Sequence, residues 1–316
     1  MRSRTVAGIN RLLAILAVFS IIAIVLTSCS SGDGSQAEKG FPAVTGKAGQ
    51  KPSIAKGTGQ PPKELKTRVL HKGDGHEVGK KDTVLASYTG QLWNGKVFDS
   101  TWENNRGPAS FGLDQVIPGW KEGLAGKHVG DRVQLVIPPD KGYGDKENGP
   151  IPAGSTLVFV VDIKDSANMT DTSALASAKP LNPELGKGLS VAGKPGTKPE
   201  LKISKEFKAP TEFQVTVLNE GKGEPIQADD IVGYHITAQL VGKDGPKDSP
   251  QSSWEMGGIQ NTQQSIGTNP NMMKLFLGQK IGSRVLVQMP AAKGAGGATQ
   301  DARVVILDLT GKLATK

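Results

Sequence analysis

The chain has 316 residues, too many for one small core and enough for two domains of ordinary size, and its 36% hydrophobic and 22% charged content marks a globular protein. The formal charge of +8 first suggests a nucleic-acid partner. However, Arg2, Arg4 and Arg11 fall in a segment read below as removed, and the rest is scattered lysine without clustered arginine and interleaved aromatics, so no nucleic acid is expected. The single cysteine, Cys29, rules out an internal disulfide framework, and His71, His76, His128 and His235 lack ligand spacing, so neither a metal nor another cofactor is implied.

Residues 1–11 carry those three arginines and no acid, residues 12–26 are apolar apart from Ser20, and LTSC follows at 26–29. A cationic start, an apolar stretch and small residues at a cut point form an export signal; the stretch is short for a bilayer-spanning helix, which needs about 20 apolar residues. The four residues ending in Cys29 resemble the lipobox of bacterial lipoproteins. That resemblance implies a signal peptide over 1–28 and a lipid on Cys29, palmitate among its acyl chains. The lipid would hold the chain at the outer face of the plasma membrane. Two or more such chains anchor stably, at about 0.8 kcal/mol per buried CH₂. Residues 29–41, rich in Gly and Ser, read as a flexible tether.

The chain then repeats itself. VTGKAGQKP at 44–52 returns as VAGKPGTKP at 191–199. Pro62, Glu64, Val69, Asp82, Val84 and Thr89 recur at one constant offset as Pro210, Glu212, Val217, Asp230, Val232 and Thr237, and Gly126, Arg132 and Gly142 recur farther on as Gly278, Arg284 and Gly294. Two units of this length mean a duplicated domain. The boundaries expected are 42–166 for the first domain, with its core at 62–164, a polar linker at 167–187, and 188–316 for the second.

Within the first unit, 65–69 and 84–92 read as strands, Asn94-Gly95 as a hairpin turn, and 131–138 as a strand with Val133, Leu135 and Ile137 on its apolar face. Residues 156–164 are apolar on both faces, as in a strand buried on both sides. One short helix is expected from Pro118, at a first-turn position, to Gly126, a C-terminal stop. The fold class is therefore α+β: a curved antiparallel sheet wrapped on one short helix, present twice.

YTG at 88–90, GKVFDS at 95–100, VIPGWKEGL at 116–124, PDKGYG at 139–144, IP at 151–152 and TLVF at 156–159 together resemble the signature segments of the FKBP family of macrolide-binding prolyl isomerases. The resemblance covers roughly 62–164. It implies a pocket of Tyr88, Phe98, Asp99, Val116, Ile117, Trp120, Tyr143, Ile151 and Phe159. Trp120 would form the floor under a proline ring and Tyr88, Phe98 and Phe159 the walls. The Ile117 N–H and the Tyr143 hydroxyl would hold substrate carbonyls, and Asp99 would be the polar group nearest the twisting amide. The implied partners are proline-containing segments of exported unfolded proteins, the membrane through the lipid on Cys29, and macrolide ligands. The sequence departs from the family at Ala109, where an aromatic often lines the pocket, and in the loop 145–150.

Carried across the repeat, Tyr88 becomes Ile236, Trp120 becomes Met272, Tyr143 becomes Ala295 and Phe159 becomes Val305, while Phe98 and Asp99 fall in the region of Pro246 and Asp248, keeping an acid without the aromatic. The second unit is therefore expected to keep the fold without the chemistry, in a structural or weakly chaperone-like role.

Overall fold

The computed structural model describes residues 34–35, 38–104, 106–293 and 299–315. The signal peptide over 1–28, Cys29, most of the tether and Ala295 lie outside them. The tether's last stretch is already part of the fold: Glu38 is bridged to Phe41 and ion-paired with Arg68, whose guanidinium lies over the Phe41 ring.

The first sheet runs in the order Lys66–His71, Arg132–Ile137, Leu157–Ala167, Thr83–Leu92, Val97–Ser100, with every neighbour antiparallel. Ala109–Gly112 also pairs with Thr83–Leu92. The doubly apolar run expected at 156–164 is the central strand Leu157–Ala167. Leu157, Phe159, Val161 and Ile163 face the core under the helix, and Val158 and Val160 are buried on the opposite face. The hairpin turn falls at Asn94-Gly95, with Gly95 at φ 94°.

The helix, Pro118–Leu124, starts at the expected proline and ends before Gly126. It lies close on the sheet because a Cβ at Gly119 would meet Ile137 at 2.4 Å and one at Gly123 would meet Leu135 at 2.6 Å. These glycines sit one turn apart on the sheet-facing side, and their absent side chains let Trp120 and Leu124 drive into the core.

The strand Arg132–Ile137 differs from its expected half-exposed pattern, since every residue is buried. Its second face is covered by the hairpin of Val44–Thr45 and Ser53–Ile54. Arg132 donates to both carboxylate oxygens of Asp162 (2.5 and 2.8 Å) and to the carbonyls of Gly46 (2.7 Å) and Gln50 (2.6 Å). Asp162 also accepts from the Gly49 amide, and Gln134 reaches the Pro42 carbonyl. Arg132, Asp162 and Gln134 thereby each find partners despite their burial.

The second half repeats this plan. Gln214–Glu220, Arg284–Met289, Ala302–Ala314 and Asp230–Gly242 follow the same order, and the bulge between Val69 and His71 recurs between Val217 and Asn219. Arg284 donates to both oxygens of Asp308 and to the carbonyls of Gly193 and Thr197. The stretch 167–187, read as a polar linker, is packed: Met169 and Leu175 are buried, Ser173–Ala176 is helical, and Lys179–Pro180 pairs with the strand Gln214–Glu220. Met169 lies in one apolar cluster with Leu85, Ile231 and Leu313, and the Ala314 amide donates to Asp165 across the same seam.

Removing the first clamp leaves a buried carboxylate without its cation. Arg132→Ala is expected to cost about 3–5 kcal/mol, read as an earlier urea midpoint. Arg132→Ala combined with Asp162→Ala should recover part of that loss.

Candidate functional site

A cavity of about 480 Å³ opens between the helix and the first sheet, and all nine residues expected to form the pocket line it. The strands Thr83–Leu92, Val97–Ser100 and Leu157–Ala167 deliver Tyr88, Phe98 with Asp99, and Phe159. The helix delivers Trp120, and the segment entering it brings Val116 and Ile117. Tyr143 and Ile151 come from the long connection after Arg132–Ile137.

Trp120, 4% exposed, sits at the base. Tyr88, Phe111 and Phe159 meet its ring at angles, with centroids at 5.3, 5.2 and 5.3 Å, and Phe98 packs edge-on to Phe159 at 5.5 Å. Edge-to-face contacts hold rings in place and are worth about 0.5–1.5 kcal/mol each beyond area burial. Room for the two phenylalanines comes from Gly90, where a Cβ would stand 2.7 Å from both Phe98 and Phe159.

The polar groups form one chain. The Tyr88 hydroxyl donates to Asp99 in a short hydrogen bond, and the other oxygen of Asp99 accepts from Arg106 (2.6 Å) and from the Ser100 amide (2.9 Å). Burial, with Asp99 alongside, holds the Tyr88 phenol protonated far above its ordinary range. Burial pushes the Asp99 carboxyl up, but the bonds from Tyr88 and Arg106 outweigh it and the net shift is downward. Asp99 is thus an ionised acceptor that orients a tyrosine.

Tyr143 is 36% exposed at the rim, in a turn closed by the Gly142 and Gly144 amides donating to the Pro139 carbonyl. Asn148 and Ile151 bond each other through both backbone pairs, so the divergent loop 145–150 closes tightly and lends Asn148, Gly149 and Pro150 to the wall. Ile117 immediately precedes Pro118, and its amide is not consumed by the helix ladder.

Sequence reasoning missed Phe111, Gln115 and Arg106. Ala109 does not leave the wall without an aromatic, because Phe111 supplies it. Residues two apart on a strand share a face, so the ring arrives one step farther along Ala109–Gly112. That alternation was visible in the sequence; the pairing of Arg106 with Asp99 had no local signal.

The matched positions of the second half carry smaller groups. Ile236 stands opposite Leu307 as Tyr88 stands opposite Val161, and Val305 stands opposite Ala238 as Phe159 stands opposite Gly90. Met272 lies in the helix Pro270–Phe276, and all three belong to one apolar cluster. The retained acid is a correction. Gln251 pairs with Ala238 as Asp99 pairs with Gly90, so glutamine takes that position. The hairpin of the second half is longer, and Asp248 instead accepts the Leu240 amide within it.

A family model described as FKBP-type peptidyl-prolyl cis-trans isomerase matches residues 75–164. The FKBP-type peptidyl-prolyl cis-trans isomerase FkpA of Escherichia coli is 42% identical over 114 residues, covering 35% of this chain and 42% of that one. The outer membrane protein MIP of Legionella longbeachae is 41% identical over 103 residues, covering 32% and 44%. The chain thus spans less than half the length of these bacterial relatives. FK506-binding protein 1 of Aspergillus oryzae is 37% identical over 110 residues, covering 31% of this chain and 95% of that protein.

The lowered Asp99 pKa sets a pH signature. A carboxylate stabilised in the fold contributes above its unfolded pKa, about 3.9, and that contribution is lost as pH falls through the folded value. Melting temperatures against pH should therefore show the wild type above Asp99→Asn at neutral pH, with the gap closing below about pH 4.

Proposed function

This chain belongs to the family of FKBP-type peptidyl-prolyl cis-trans isomerases, and from that membership we propose that its first half speeds X–Pro isomerisation in exported proteins as they fold. The observation that carries the reading is the aromatic cup on Trp120, with its only ionised wall group, Asp99, spent on Tyr88 and Arg106.

The X–Pro bond resists rotation by roughly 18–20 kcal/mol because of its partial double-bond character, and it isomerises unaided over tens to hundreds of seconds. The resonance form that stiffens it is charge-separated and favoured by water. Seating the proline ring on Trp120, between Tyr88, Phe98 and Phe159, removes that water and favours the less polar, twisted state. The Ile117 N–H and the Tyr143 hydroxyl hold carbonyls on either side of the twist. Val116 and Ile151 flank the substrate. Asp99 acts through Tyr88, keeping the phenol fixed. No proton is transferred and no covalent intermediate forms. The Aspergillus relative is named for binding FK506, and macrolides of that kind are proposed as ligands of the same cup.

The second half, 188–316, is proposed as a degenerate copy of the same domain in tandem with the first, 42–166. Its strand order, its bulge and its Arg284–Asp308 clamp support the duplication, and Ile236, Met272 and Val305 support the loss of the cup. The lipobox-like LTSC at 26–29 supports removal of a signal peptide at 1–28 and a lipid on Cys29, which would tether the chain at the outer face of the plasma membrane.

In a protease-coupled assay on an X–Pro peptide, the full chain should be active. Phe98→Ala and Tyr143→Phe should each lower kcat/KM about tenfold or more, roughly 1.4 kcal/mol of transition-state stabilisation, and Met272→Ala should leave it unchanged. An inactive wild type would sink the enzymatic reading. Separately, labelled palmitate should be incorporated into the wild type and not into Cys29→Ser, which should also leave the membrane fraction.

A further inference from the structure

A second cavity, of about 570 Å³, lies on the far face of the first sheet. Ser87, Thr101, Trp102 and Lys164 border it on one side and Ala314 and Thr315 on the other. The second half shows what such a place can hold. Ser87 stands opposite Asp162 in the sheet, and His235 stands opposite Asp308 in the same way. The Tyr88 amide donates to the Thr101 hydroxyl (2.8 Å), and the Ile236 amide donates to the Ser253 hydroxyl (3.0 Å). Trp102 and Trp254 are the next residues in each chain segment. The two settings therefore share the facing aspartate, a hydroxyl on the following amide and the tryptophan, and one has a serine where the other has an imidazole.

That imidazole fills its setting. The His235 ring stacks on Trp254 with centroids 3.7 Å apart and planes 16° apart, and its Nδ1 lies 3.0 Å from the Ser253 hydroxyl. The Trp254 indole N–H donates to Asp308 (3.2 Å). In the first half that carboxylate oxygen accepts from the Gly49 amide instead, at 2.8 Å. The Trp102 indole N–H is consequently buried without an acceptor among the described residues.

We propose that this cavity is a binding site for a planar nitrogen heterocycle, which stacks on Trp102 over Ser87 as the His235 imidazole stacks on Trp254. A ring N–H donates to the Thr101 hydroxyl oxygen, whose own proton is turned to the Tyr88 carbonyl (3.4 Å). The site lies across the sheet from the aromatic cup and does not depend on the isomerase reading.

Free imidazole is the probe, added at about pH 8, where the ring is mostly neutral. The readout is the set of indole N–H resonances of the full chain labelled with ¹⁵N-tryptophan, assigned through Trp102→Phe and Trp254→Phe. The Trp102 resonance should move saturably while the Trp254 resonance stays. Ser87→His should shift the Trp102 resonance without ligand and weaken the imidazole response about tenfold or more. His235→Ser should transfer a saturable response to Trp254, which keeps the test independent of whether Ser87→His folds. A parallel, unsaturating drift of every indole signal overturns the proposal. So does a response at Trp120 with none at Trp102, an undiminished response in a folded Ser87→His, or a silent Trp254 in His235→Ser.

Discussion

A buried arginine–aspartate pair, used once in each half, is the constraint on which the rest is built. Arg132 and Asp162 sit on adjacent strands, deep enough that an unpaired charge would be prohibitive. Pairing alone leaves guanidinium donors over, and those are spent on the carbonyls of Gly46 and Gln50. The consequence is geometric. A Gly- and Lys-rich hairpin with little apolar surface of its own is pinned over one face of the sheet, and that face becomes interior. The sheet is then buried on both sides, so the strand Leu157–Ala167 can present Phe159 and Val161 to the helix side with no competing need to solvate its other face.

The helix side depends on that rigidity. Gly119 and Gly123 bring the helix nearly to van der Waals contact with Ile137 and Leu135, and a sheet that flexed would not keep so close an approach. Trp120 is held by this contact, and the three rings that meet it come from three different strands. Asp99 completes the arrangement from the rim, since the phenol it orients is also one wall of the cup. Shape and ring orientation in the cup therefore trace back to packing against a sheet fixed from behind.

Much of this was legible in the sequence because it lies in short, ordered signals. The doubly apolar strand, the proline that opens the helix and the turn at Asn94-Gly95 each follow from local chemistry, and the pocket residues follow from motifs in order. What was not legible depends on partners far apart in the chain. Nothing near Arg132 announces that it will be buried, because its partners Gly46, Gln50 and Asp162 lie well away from it in sequence. Counting along the repeat failed at Asp248 for a related reason. Strand register fixes which residue faces Ala238, and the longer hairpin absorbs the insertion before Gln251, earlier than identity matching places it. Phe111 was missed by a single step of strand alternation.

The two halves show how one frame can place aromatic rings on different faces. In the first, the rings gather on the helix side, and Gly90 leaves them room. In the second, Ala238 stands where Gly90 would be, opposite Val305 and no longer opposite a phenylalanine, and the ring pair on the helix side is Tyr234 with Phe276 at 5.1 Å. Tyr234 lies two residues before the Tyr88 position, and Phe276 belongs to the last turn of its helix, so this pair packs within the core cluster. Its stacked rings, His235 on Trp254, lie on the opposite face, beside the Arg284–Asp308 clamp. The same strand order and the same buried ion pair thus support an open aromatic cup on one side in the first half and a closed aromatic stack on the other side in the second. Because successive residues on a strand point to opposite faces, a ring at 235 in place of one at 236 moves an aromatic to the other side, while Met272 and Val305 remove the rings at the other cup positions.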